Sequence, residues 1–199
     1  MTTMLSERTG ALPGHDEVGH DGAEILSLVV DHPDFERFRL STLAYPDCWA
    51  TFTGYPLVAG WDLDQDGPAL FDEALRVMCL KAAVFRLTDG DEWAAELMCS
   101  PPVDEMIHAL IAQFTLLVRI QQSLGIVFVH STDMERFGWN PGDYTHRCYR
   151  VAGWGDLNPR YWIGASEVAR RLAVLREKYD EIGIHDDGRR HDFDFGQVI

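Results

Sequence analysis

"DGPALFDEALRVMCLKAAVFRL", residues 66 to 87, sets the fold class by its apolar spacing. Leu70, Ala74, Val77, Leu80 and Val84 recur at three- and four-residue intervals, which places them on one face of an α-helix. Asp66 offers an N-capping carboxylate, and Pro68 suits a first turn, where its missing N–H has no partner to lose. Cys79 falls inside the pattern, which predicts a buried thiol.

The same periodicity extends outward on both sides. Residues 23–44 read as two helices broken at "DHPDF", where Asp31 or His32 ends one and Pro33 permits a new start; the second carries Phe35, Phe38 and Leu43. Residues 45–66, dense in Pro, Gly and aromatics, read as an ordered loop with a short strand at 49–53. A short helix is expected over 90–98. "SPPVDEMIHALIAQF" (100–114) then opens a helix with Ser100 as N-cap and Pro101 at N1, running to about Ser123 and stopped by Gly125. "IVFVH" (126–130) and "YTHRCYRVAG" (144–153) read as short strands. A last helix over 165–182 aligns Val168, Leu172, Leu175, Tyr179 and Ile182 and ends at Gly183. The expected architecture is mainly α, a compact helical domain with minor short β segments. Residues 1–22, with "GHDEVGHDG", read as a flexible N-terminal arm, 23–184 as a single helical domain, and 185–199 as a polar C-terminal tail.

The chain has 199 residues, ample for one core, and a net charge of -15. That charge argues against contact with a nucleic-acid backbone or an anionic membrane, both of which need Lys and Arg. It suits a cationic ligand, a metal or a basic partner. Cys48, Cys79, Cys99 and Cys148 form no CxxC pair, so no zinc-ribbon spacing is present. The N-terminus lacks the apolar stretch of a secretory signal, and no run reaches membrane-span length, so a cytoplasmic location with free thiols is expected. Only Lys81 and Lys178 are lysines among 17 basic residues, a bias that points to a GC-rich bacterial genome.

Two stretches carry chemistry. On the helix that begins at 101, Val103, Ile107, Leu110, Ile111, Phe114, Leu117 and Val118 share an apolar arc, with Asp104 and His108 together on its edge. They are one turn apart and within side-chain reach. An Asp here offsets the helix dipole and pairs with the His; a carboxylate that orients an imidazole also serves metal ligation and general base catalysis. The second stretch, "DLDQDGPALFDE" (62–73), fits a calcium-loop pattern: Asp62, Asp64 and Asp66 at positions 1, 3 and 5, Gly67 at 6, Glu73 at 12. No entering helix precedes it, so it reads as an isolated EF-hand-type loop or as a solvated turn that caps the next helix.

"PPVDEMIHALIAQF", followed by "IVFVH", resembles bacterial glycine-rich-domain-containing proteins. Val103, Asp104, His108 and His130 match their pattern of Val-Asp, two residues, Trp-His, a helix, and a His ending a short apolar segment. Ile107 stands where the family has Trp, the later Tyr and Cys of the helix are absent, and "STD" replaces the segment after the last His. The resemblance groups Asp104, His108 and His130 as a set. Two His and one carboxylate suit iron or zinc with open positions, and His146 is a further candidate ligand. The same set suits metal-free acid–base chemistry.

The expected function is a small-molecule enzyme built on Asp104, His108 and His130, with a divalent metal (Ca, Zn or Fe) as the candidate cofactor. Tyr45, Trp49, Phe52, Tyr55 and Trp61 are candidates to wall an apolar pocket. The alternatives are a calcium-binding accessory protein that uses 62–73, and an acidic inhibitor that covers a basic partner.

Overall fold

The computed structural model describes residues 11–45, 62–131, 138–186 and 190–192. The strand expected at 49–53 and the aromatics Trp49, Phe52, Tyr55 and Trp61 lie outside those residues. Among the described residues the chain is mainly helical: α1 (His15–Val30), α2 (Phe35–Leu43), α3 (Leu63–Leu87), α4 (Glu92–Ala95), α5 (Pro101–Ala112), α6 (Phe114–Leu124), α7 (Tyr144–Val151) and α8 (Ala165–Glu181). The β structure described is one antiparallel ribbon, β1 (Ile184–His185) with β2 (Arg190–His191), Ile184 opposite His191.

The opening stretch is the centre of the molecule. From Leu70 to Val84, α3 is buried almost all round, only Asp72 and Arg76 reaching solvent. Helices α1, α2, α4, α5 and α7 all pack on it. Its small residues, Ala74, Cys79, Ala82 and Ala83, let several helices approach from different sides. The helix starts one turn earlier than its sequence suggests. Asp62 caps it, its Oδ1 accepting the N–H groups of Asp64 and Gln65, and Pro68 lies inside the helix.

Three expectations are corrected. Residues 15–22 are not an arm: they form the first half of α1, with Val18, Gly19 and Gly22 buried. The glycines that suggested flexibility mark close packing. A Cβ on Gly19 would lie 2.6 Å from Val151 Cβ and 2.7 Å from the Cys148 carbonyl oxygen on α7. "YTHRCYRV" is helix α7, not strand. Its buried residues, Thr145, Cys148 and Tyr149, have helical spacing, which short alternation in the sequence obscured. "IVFVH" is described without helix or strand, although Ile126 and Val129 are buried.

The long helix expected from 101 is two, α5 and α6, parted at Gln113. Gly125, at φ 65°, ends α6 in the left-handed conformation that glycine adopts without strain. Helix α8 ends before Gly183, as expected, and Ile163, Val168 and Leu172 form a small cluster of their own. Part of the expected tail is ordered, since His185 and residues 190–191 belong to the ribbon. Cys79, Cys99 and Cys148 are buried free thiols. No described helix is long and apolar enough to cross a membrane.

Candidate metal centre

Helix α5 places two of the three site residues. Ser100 is extended at its N-cap, and the prolines at N1 and N2 occupy positions where an N–H would have no helical partner. The Ser100 hydroxyl does not cap the helix. It accepts the Ile163 N–H at 3.1 Å and so ties the start of α5 to the segment before α8. One turn in, Asp104 is buried; His108, a turn later, is about one-third exposed. Asp104 Oδ2 lies 3.6 Å from His108 Nε2. On its other oxygen, the buried Cys99 thiol donates to Oδ1 at 3.6 Å. Burial first, and then the Asp104 charge, push the Cys99 thiol well above its usual range.

His130 arrives from the irregular segment that follows Gly125. Side-chain acceptors hold that segment: Phe128 N–H donates to Gln121 Oε1 at 2.7 Å, and Ser131 N–H to Glu96 Oε2 at 3.1 Å. They bring the imidazole, almost wholly buried, against His108 with ring centroids 4.9 Å apart. One ligand atom from each of Asp104, His108 and His130 lies within 4.8 Å of the other two. The expected trio is therefore assembled in space.

Around it are residues that the sequence did not single out. Glu105 Oε2 stands 3.8 Å from His108 Nδ1. Glu96 Oε1 stands 3.6 Å from His130 Nδ1 and pairs with the Lys81 ammonium, which is itself 3.2 Å from that nitrogen. Burial pushes Glu96 upward, but its contact with His130, the Lys81 charge and the Ser131 N–H outweigh it and hold the carboxyl below its usual value. Lys81 was detectable in the sequence as a cation inside the otherwise apolar run "VMCLKAAV" of a helix buried all round. Glu96, after the single turn α4, gave no comparable signal.

The calcium-loop expectation is corrected. Residues 63–73 are helix, so the chain does not wrap around a common point as a calcium loop must. Asp62 is the cap and Asp64 is exposed. Asp66 binds Arg160 through two bonds (Nε–Oδ1 2.6 Å, Nη2–Oδ2 2.7 Å), and accepts the Tyr161 hydroxyl at 2.7 Å and the Asp62 N–H at 2.8 Å. Glu73 points into the core. Its Oε1 accepts from Arg76 and the Tyr149 hydroxyl, both at 3.1 Å, and its Oε2 from the Trp162 indole at 2.8 Å. His146 is not part of the trio either: its Nδ1 accepts the Gly142 N–H at 2.9 Å, and its ring faces Trp139. Tyr45, the one described member of the aromatic loop, is largely exposed. A groove along α8 is lined by Arg170, Val174, Tyr179 and Ile182 among others, and by none of the trio.

Comparison with family models, with curated proteins and with solved structures found no match.

Proposed function

We propose that Asp104, His108 and His130 bind one divalent transition metal, zinc or iron, and that the chain is a small enzyme acting on a small-molecule substrate at that metal. The observation that supports this reading is the convergence of one carboxylate and two imidazoles within 4.8 Å of one another. Such ligands sit about 2.0–2.2 Å from zinc, so two of them are at most about 4.4 Å apart, and small side-chain rotations close the set. Three protein ligands leave coordination positions open for water and substrate. A metal so held polarises a bound oxygen or lowers the pKa of bound water. The similarity to bacterial glycine-rich-domain-containing proteins at Val103, Asp104, His108 and His130 supports the same grouping.

A second reading has its own support. The His108 and His130 rings are 4.9 Å apart, with Asp104 beside His108, an arrangement fit for metal-free proton transfer. Elemental analysis of protein purified without an affinity tag separates the two. The proposal expects zinc or iron at close to one ion per chain, removed by a strong chelator and restored by adding the metal back. Protein that neither carries nor takes up a transition metal would leave the acid–base reading in its place.

A further inference from the structure

We infer that Glu96, in company with Lys81, is a positioning residue of the metal site: it sets which nitrogen of His130 faces the metal, and the pair sets how strongly that ring donates. This inference rests on the reading of Asp104, His108 and His130 as ligands.

His130 ends a segment with neither helix nor strand, so the location of its ring depends on local contacts. Glu96 supplies two of them at once. Oε2 accepts the Ser131 N–H at 3.1 Å and fixes the backbone next to His130, while Oε1 faces His130 Nδ1 at 3.6 Å. The carboxylate is held in turn by Lys81, on the central helix.

The Lys81 side chain is fully buried, and those of Glu96 and His130 nearly so. A buried ion pair is often no more stabilising than well-packed apolar residues of the same volume. Stability is therefore a poor reason for a charged pair at this place. The chain also has fifteen arginines and only two lysines, yet it sets a lysine here. An ammonium is a compact point charge, whereas a guanidinium is a planar fork.

His108 turns Nε2 towards Asp104 and has Glu105 behind Nδ1; His130 has Glu96 behind Nδ1. A carboxylate behind each imidazole is the usual means of presenting the far nitrogen to a metal and of strengthening its donation. His130 also has the Lys81 ammonium at 3.2 Å from the same nitrogen. The two charges act in opposite senses. With the ring proton on Nδ1, Glu96 Oε1 at 3.6 Å is the carboxylate that would attract it and enrich the ring; Lys81, a donor only, pairs with the same carboxylate oxygen, competes with that proton and draws density away. A ligand weakened in this way would leave a bound metal a stronger Lewis acid and easier to exchange.

Cobalt(II), added alone, is the probe, and its visible absorption reports both binding and geometry. The full-length wild type, Glu96→Gln, Lys81→Met and the double variant are titrated side by side, with circular dichroism melts to check folding. Glu96→Gln should bind about 10–100-fold more weakly, the usual cost of losing an outer-sphere partner. Lys81→Met should bind as tightly as wild type or more so. The double variant removes the burden of an unpaired buried charge and should stay weak, which keeps the test decisive if Glu96→Gln does not fold. Wild-type affinity in the double variant, or equal weakening by Lys81→Met and Glu96→Gln, would overturn the inference and make the pair a core element. A wild type that takes up no cobalt would overturn the metal reading itself, and this inference with it.

Discussion

Two carboxylate-bearing regions of this protein invite a metal, and they are built in opposite ways. At the start of α3, each oxygen of Asp66 and Glu73 already accepts from Arg160, Tyr161, Arg76, Tyr149, Trp162 or a backbone N–H. Guanidinium groups and indole or phenol donors stand where a cation would have to go. At the start of α5, Asp104 faces an imidazole and a thiol, with a second imidazole beside the first. The nearby cation, Lys81, pairs with Glu96 and not with Asp104. Carboxylates neutralised by arginine tie helices together; the ligand atoms of Asp104, His108 and His130 converge closely enough to be able to hold an ion.

The largest expected effect falls on the second region. His108→Ala should remove high-affinity transition-metal binding and lower activity on an identified substrate by about a hundredfold or more. Because His108 is partly exposed, the fold should lose only about 1–2 kcal/mol, measured by denaturant titration. An unfolded His108→Ala variant would make the imidazole structural and erase the contrast.

Glu73→Ala tests the first region. It takes the acceptor from the Tyr149 hydroxyl and the Trp162 indole and the counter-charge from Arg76, which keeps its 2.7 Å bond to the Tyr149 oxygen, and should cost about 3–5 kcal/mol, the range for breaking a buried charged network. Metal affinity of the folded fraction should not change. Gly19→Ala touches neither region. In an exposed helix this substitution would stabilise by about 1 kcal/mol; here the Cβ would meet Val151 and the Cys148 carbonyl, and a loss of about 1–3 kcal/mol is expected in the same titration.

Acid should separate the regions more gently. The bonds from Arg160 hold the Asp66 carboxyl below its usual 3.8, against burial, which raises it; Tyr161 and the Asp62 N–H add to the lowering. A depressed carboxyl stabilises the fold above its unfolded value and loses that contribution as pH falls through the folded one. The Asp66 share of stability should therefore persist down to about pH 4 and fade below it. Imidazole ligates a metal only through an unprotonated nitrogen, so acid competes with metal for the site. Metal should leave the protein on acidification while the fold is intact, a sequence that parallel absorption and circular dichroism titrations would record.

Much of the helical frame was legible in the sequence, because apolar spacing reports the face that a helix buries. Leu70, Val77 and Val84, and likewise Val168 and Leu175, are buried as their spacing required. What stayed hidden depends on partners distant in the chain. Gly19 and Gly22 read as flexible until α7 and Leu80 are seen against them. Asp62, Asp64, Asp66 and Glu73 matched a ligand pattern because spacing records reach along the chain, while Arg160 and Trp162, about 90 residues away, take up their oxygens. The trio was legible in part: Asp104 and His108 by helical spacing, His130 only through the family-like pattern. Glu96 and Glu105 became relevant once the imidazoles were placed.

Zinc is expected to bind at Asp104, His108 and His130 and not at the acidic start of α3. Zinc titration by calorimetry, on wild type, His108→Ala and the double variant Asp62→Asn/Asp64→Asn, tests it most directly. Those two aspartates are exposed, so their loss should leave the protein folded. The account predicts one zinc per chain in wild type, the same stoichiometry and affinity in the aspartate variant, and no comparable binding in His108→Ala. Zinc binding that survives His108→Ala and disappears with Asp62 and Asp64 would contradict it.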